Sequence, residues 1–407
     1  MKKLYLEFFR GAGAVFILSW HIVFLAPTGH PTKFAAYWGM DALMIFFMLS
    51  GTVINITQTN KPKPTLPFLH DRLLRIYPLF IAGMLLAYLA LYLTGKPYPT
   101  TATGIGNFLL LSTMSDYMGY IVASIQSNLA VWTLTFEVGF YLLYAATIGQ
   151  YQKRLTWYWF LIAVICIPLY MIRQESDVLQ QILAVLAFSS IWLTGYYIYQ
   201  YRIRFNADRN AALFCLGILP FISRMHFISN FYDPLKYFIL SIFAIPFLRY
   251  CLQLPSKGIR IRVGYLMVAH AVIVIAAVVF RYMPLKNTLT YSLLAYIYMG
   301  IGYLVHRSGW RSKIIAAVNK AGAILGSHSY ALYITHFPIV FTFSILVHNM
   351  VLYVLGILTV VTLVTWLLES KLQPVIVRYF KTKKAPAAVP QDVTAFQLRD
   401  TPASLAN

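Results

Sequence analysis

Runs of about 20 predominantly apolar residues recur along nearly the whole of this 407-residue chain, and no other feature limits its fold so strongly. At about 1.5 Å per residue, each run is long enough as a helix to cross a hydrocarbon layer of about 30 Å. Strands of a membrane barrel would alternate polar and apolar residues, and these runs do not. Candidate spans fall at 8–28, 37–57, 77–95, 129–149, 155–172, 178–199, 211–223, 235–250, 263–280, 288–306, 327–348 and 350–369. The runs between 211 and 250 are short, so the sequence predicts an all-α, polytopic transmembrane bundle of about 10–12 spans. Composition agrees, with 59% hydrophobic and only 11% charged residues. An even number of spans puts both termini on one side of the membrane.

The formal net charge of +21 raises the question of nucleic acid, and the distribution of charge answers it. With the N-terminus cytoplasmic and the spans alternating, all but seven of the 33 lysines and arginines fall on the inner side. That is the positive-inside asymmetry of a membrane protein, so the basicity reads as topology and no nucleic-acid partner is expected. The first apolar run is read as a retained helix, because no small-x-small cleavage site follows it.

Residues 1–380 read as one transmembrane domain, and 381–407, rich in Pro, Ala and polar residues, as a disordered cytoplasmic tail. The stretch from Thr100 to Asn128 is too polar in its middle to span and reads as an external or re-entrant segment. Cys166, Cys215 and Cys251 lie in or beside apolar runs without pairing logic, so neither a disulfide framework nor a metal site is expected.

Charged and ionisable residues inside these spans stand out, since each is costly to hold in hydrocarbon. In EFFRGAGAVFILSWH, Arg10 and His21 are separated by three helical turns and about 16 Å, and so share one face. Glu7 joins the stripe three residues before Arg10 and can pair with it. Arg10 alone is equally consistent with a guanidinium reaching back to the headgroups. A mid-helix imidazole has no such escape.

Asp41 enters the second span about one turn from its outer end, at a depth similar to that of His21. An Asp–His pair would form a minimal general-base unit, although a carboxylate near a helix start is also favoured by the helix dipole. Arg72 and Arg75 in FLHDRLLRIYP sit one turn apart on the cytoplasmic side. Paired guanidiniums suit phosphate, and basic residues there also serve topology. Glu137 lies near mid-membrane with no partner read within its own helix. His336 lies about two turns into its span. His270, isolated in VAHAVIV, reads as a satisfied structural histidine.

In their order, EFFRGAGAVFILSWH, GMDALMIFFMLSGTVI, FLHDRLLRIYP, WTLTFEVGFYLLY and GSHSYALYITHFPIV closely resemble the membrane acyltransferase-3 family, the bacterial inner-membrane O-acyltransferases of surface glycans. The firm motifs run from Glu7 to Tyr144 and from Gly326 to Val340. The family often has Asp where Glu7 stands, and Glu or Gln where this chain has Val138. The resemblance implies a catalytic His21 with Asp41 as its acidic partner. It also implies donor-binding Arg10, Arg72 and Arg75, and a central cavity supported by Glu7, Glu137 and His336. The implied donor is cytoplasmic acyl-CoA, most often acetyl-CoA, with no permanently bound cofactor. The implied acceptor is a hydroxyl of an exopolysaccharide or lipid-linked glycan. No fused hydrolase-like domain is expected within these residues. A proton-coupled exporter of a glycan or small solute is the alternative reading. Paired interrupted spans in two halves, which such a transporter would show, are not found in the sequence.

Overall fold

In hydrocarbon each backbone N–H and C=O must find its partner within the segment, so the apolar runs fold as helices. The structure is a computed structural model that describes residues 4–27, 39–114, 118–119, 121–172, 174–201, 209–225, 232–251, 263–280, 282, 284–307 and 310–382. The first helices are α1 (Leu4–Phe24), α2 (Gly39–Asn60), α3 (Thr65–Thr94) and the short α4 (Thr101–Phe108). They are followed by α5 (Trp132–Thr147), α6 (Gln152–Met171), α7 (Asp177–Gln200), α8 (Arg209–Ile222) and α9 (Pro234–Cys251). The chain continues through α10 (Val263–Val279), α11 (Leu285–Arg307), α12 (Trp310–Leu346) and α13 (Met350–Leu367). A π-helical turn over Leu368–Leu372 then leads into α14 (Gln373–Thr382).

Every span read from the sequence falls on one of these helices. Among the described residues, eight helical stretches are long and apolar enough to cross a membrane. At 14 residues, α8 is about 21 Å long and falls short of a full crossing. The outward faces remain apolar, with Leu85, Ile165 and Leu363 each at least 60% exposed, as lipid-facing positions require. The protein is therefore an all-α, multi-pass membrane bundle. Helix ends follow local chemistry. Gly95 closes α3 in the left-handed region at φ 64°, its N–H reaching Tyr92 O. Ser176 and Asn349 cap α7 and α13 through their side chains.

The central pair is α1 and α12, with α2 and α3 packed beside them and α7 behind α2. Small residues permit the close crossing. A Cβ on Gly11 would stand 2.4 Å from the Leu325 Cβ, and one on Gly326 would stand 2.6 Å from the Glu7 carbonyl oxygen. The α2–α7 seam adds hydrogen bonds, from Thr52 Oγ1 to Gly195 O at 2.8 Å and from Asn55 Nδ2 to Tyr196 O at 2.7 Å.

The polar stretch between α3 and α5 folds over one end of the bundle. It holds α4, a two-residue parallel pairing of β1 (Ser112–Thr113) with β2 (Val122–Ala123), and a 3-10 turn over Gln126–Val131. Asn107, fully buried, donates to Ala123 O at 2.8 Å and accepts from Ile125 N at 3.3 Å. Ser127 Oγ donates to Ala87 O at 2.8 Å. The irregular backbone of this stretch is satisfied by protein groups rather than left open.

Two expectations shift at the edges of the structure. Lys381 and Thr382, read as the start of the tail, belong to α14, and the rest of that stretch, residues 383–407, lies outside the described residues. Cys166 and Cys215 are buried free thiols, whereas the side chain of Cys251 lies outside what is described.

Candidate active site

On α1 the stripe read from the sequence forms. Arg10 Nη1 lies 3.4 Å from Glu7 Oε2, and His21 is buried three turns further along. The partner of His21 comes from α12. His336 Nδ1 lies 2.7 Å from Tyr333 O and 3.2 Å from Leu332 O, so it carries the proton and donates. His336 Nε2 is then an acceptor, and it faces His21 Nδ1 at 3.0 Å. His21 Nδ1 must therefore bear a proton, shared between His336 and Ile17 O at 3.0 Å. This network fixes the tautomer with the lone pair on His21 Nε2, which has no hydrogen-bond partner among the described residues. Trp20 packs on the imidazole at a centroid distance of 4.3 Å and Phe337 meets it edge-on at 4.9 Å, which fixes the ring.

A proline sets the local geometry of α12. Pro338 has no N–H to offer the carbonyl of Ile334, four residues earlier. Asn128 Nδ2, from the segment that folds over the bundle, approaches that carbonyl at 3.4 Å. The turn that carries His336 is thus tied to the covering segment.

Asp41 is not the partner of His21. Among the described residues no hydrogen bond or ion pair joins them. Asp41 accepts a hydrogen bond from Ser223, and the cations of Lys236 and Arg224 act on it electrostatically. The sequence put the two residues at similar depth, but depth does not set direction. Asp41 faces the α8–α9 side, and His21 faces α12.

Arg10, Arg72, Arg75 and Glu137 line one cavity, of about 70 Å³. Arg72 Nη2 donates to Thr57 Oγ1 at 3.3 Å, while its guanidinium carbon lies 5.4 Å from the Phe68 ring and 5.8 Å from the Tyr141 ring. Its Nε is buried without a partner among the described residues. Arg75 forms no ion pair among them either. Glu137, expected to lack a partner in its own helix, has one: Tyr141, at i+4, donates to it, and Ser50 Oγ from α2 does so at 3.3 Å. That spacing was readable as a one-turn pair.

A second, smaller cavity, of about 30 Å³, is lined by His21 together with Trp20, Met40, Trp132 and Tyr232. Leu43, Thr133 and Tyr333 belong to the walls of both cavities. Thr133 Oγ1 and the Tyr333 hydroxyl are 2.6 Å apart, and Tyr333 also donates to Ala130 O at 3.0 Å. Neither residue was singled out by its sequence context. His270 departs from expectation as well: it is buried and stacks on Tyr296 at 4.9 Å, yet neither ring nitrogen has a hydrogen-bond partner among the described residues.

The helical membrane bundle thus sets an arginine-lined cavity beside one that contains His21. The acyltransferase domain of the acyltransferase-3 family matches residues 3–370, and the chain belongs to that family. It is a multi-pass membrane acyltransferase. Comparison with curated proteins found no match, nor did comparison with solved structures.

Proposed function

We propose that this acyltransferase moves an acetyl group from cytoplasmic acetyl-CoA to a hydroxyl of an exopolysaccharide or lipid-linked glycan, across a bacterial inner membrane. The observation that carries this reading is the pair of cavities sharing the wall of Leu43, Thr133 and Tyr333. One is cationic, with Arg72 Nε unpartnered among the described residues, and suits the phosphates of a CoA donor. The other holds an imidazole with an unused lone pair.

The chemistry follows from that arrangement. The acceptor hydroxyl gives its proton to His21 Nε2 as its oxygen attacks the thioester carbonyl. Collapse of the tetrahedral intermediate breaks the C–S bond, and the departing thiolate takes the proton back from the imidazolium. General-base assistance of this kind is worth about 10²–10⁴-fold. His336 stabilises the transient imidazolium by accepting the hydrogen bond from His21 Nδ1. Trp20 Nε1, buried and without a partner among the described residues, borders the same chamber and can donate to a substrate oxygen. Thr133 and Tyr333, in contact with each other, belong to the wall that the two cavities share. Family membership favours acyl transfer over export of a solute, which the buried histidines also allow.

The test is incubation of membranes containing the protein with acetyl-CoA labelled in the acetyl group. Label in the glycan fraction, absent without the protein, is the expected result. Glycan that stays unlabelled while the protein is present would remove the proposal.

A further inference from the structure

The helix that carries Arg72 and Arg75 is interrupted by a proline. Pro78 lies inside α3, and its ring nitrogen has no hydrogen for the carbonyl of Leu74, four residues before it. An unpaired carbonyl at this depth is costly, and the structure supplies its donor from the far end of the chain. Gln373 Nε2 lies 3.2 Å from Leu74 O and 3.3 Å from Arg75 O. At the residue after Arg75, the Tyr330 hydroxyl of α12 donates to Ile76 O at 3.3 Å.

Gln373 is buried, and it comes directly after the π-helical turn over Leu368–Leu372. A π turn inserts one residue, which rotates the next helical segment by about 100° relative to an uninterrupted α-helix. The same turn carries Glu369, whose carboxylate acts electrostatically on Arg75 and Arg10. The C-terminal segment therefore supplies both a hydrogen-bond donor to the backbone of the arginine helix and an anion to its side chains.

We infer that Gln373 is a positioning residue for the donor site: it holds the Pro78-interrupted turn of α3 so that Arg72 and Arg75 face the cavity. The inference rests on the reading that these arginines bind CoA. Gln373 stands 299 positions from Leu74 in sequence, touches no substrate and acts only through the carbonyls of Leu74 and Arg75.

The test is a two-by-two set of the full chain in detergent: wild type, Gln373→Leu, Pro78→Ala and the double variant, with Arg75→Ala alongside. CoA binding is titrated by calorimetry, and thermal unfolding of each variant reports its folded state. Gln373→Leu is expected to weaken CoA binding about tenfold, on the order of one hydrogen bond to a buried carbonyl. In the Pro78→Ala background, residue 78 gains an N–H for Leu74 O, and the same change is expected to cost less than about threefold. Equal losses in both backgrounds would show that Gln373 only fills space, and would overturn the inference. So would CoA binding that is lost in Arg75→Ala but intact in Gln373→Leu, with the donor reading left standing. A wild type that binds no CoA would overturn the donor reading and the inference with it.

Discussion

His21 Nδ1 and His336 Nε2 lie 3.0 Å apart although 315 positions separate them in the chain. The contact joins α1 to α12 and orients the imidazole, and among the described residues no carboxylate bonds to that ring. If it acts as an orienting acceptor, His336→Ala should lower turnover on the order of 10²-fold with little change in the KM for acyl-CoA. His336→Gln, whose side-chain carbonyl can accept from His21 Nδ1, should recover part of the loss. Steady-state kinetics on purified protein would check both. Equal defects in the two variants would argue that His336 only packs.

Arg72→Ala and Arg75→Ala should raise the KM for acyl-CoA far more than that for donor analogues lacking phosphates, because the lost contact is to phosphate. Lysine at either position should restore only part of the affinity, since it cannot copy the planar fork of a guanidinium. Kinetics with the intact donor and with an acyl-pantetheine analogue separates these outcomes. Equal effects on both donors would end this role for the pair.

Asp41→Asn should act on stability rather than on the base. The carboxylate is buried, accepts from Ser223 and balances the charge of Lys236, so its neutralisation leaves a buried cation with less compensation. A loss of about 1–3 kcal/mol is expected, visible as a lower unfolding temperature in detergent. Turnover of the remaining folded enzyme should fall by much less than in His336→Ala. A turnover loss equal to that of His336→Ala at unchanged stability would return Asp41 to the catalytic unit.

The sequence carried much of this and left out the pairings. Helical periodicity and the expense of charge in hydrocarbon put Glu7, Arg10 and His21 on one stripe and drew attention to Arg72, Arg75, Glu137 and His336. Which of them meet depends on how helices far apart in the chain are rotated against one another. Depth alone suggested that His21 would meet Asp41, but rotation gave His21 to His336 and Asp41 to Ser223. Tyr141 beside Glu137 was within reach, because a one-turn spacing is local information. Gln373 was not, since nothing near it in sequence signals that Pro78 leaves a carbonyl open.

Gly326→Ala probes the crossing that brings the histidines together. The added methyl would fall 2.5 Å from the Glu7 Cβ and 2.6 Å from its carbonyl oxygen, so α1 and α12 must separate. A cost of about 1–3 kcal/mol in stability is expected, as for other overpacked contacts, together with reduced turnover as the His21–His336 contact lengthens. Thermal unfolding and activity measured on the same preparation would check it. A variant normal in both would show that the crossing tolerates a wider spacing.

Acetyl transfer by the purified protein in lipid vesicles, compared between wild type and His21→Ala in parallel with CoA binding, bears on the division of labour between the two cavities. In the proposed mechanism His21 is the base that takes the acceptor proton, in a cavity beside the one whose arginines would hold the donor. His21→Ala should therefore bind CoA as the wild type does and transfer at least about 10²-fold more slowly. Near-normal transfer by His21→Ala would mean that the base lies elsewhere and that the cavity containing His21 is not where the acceptor reacts.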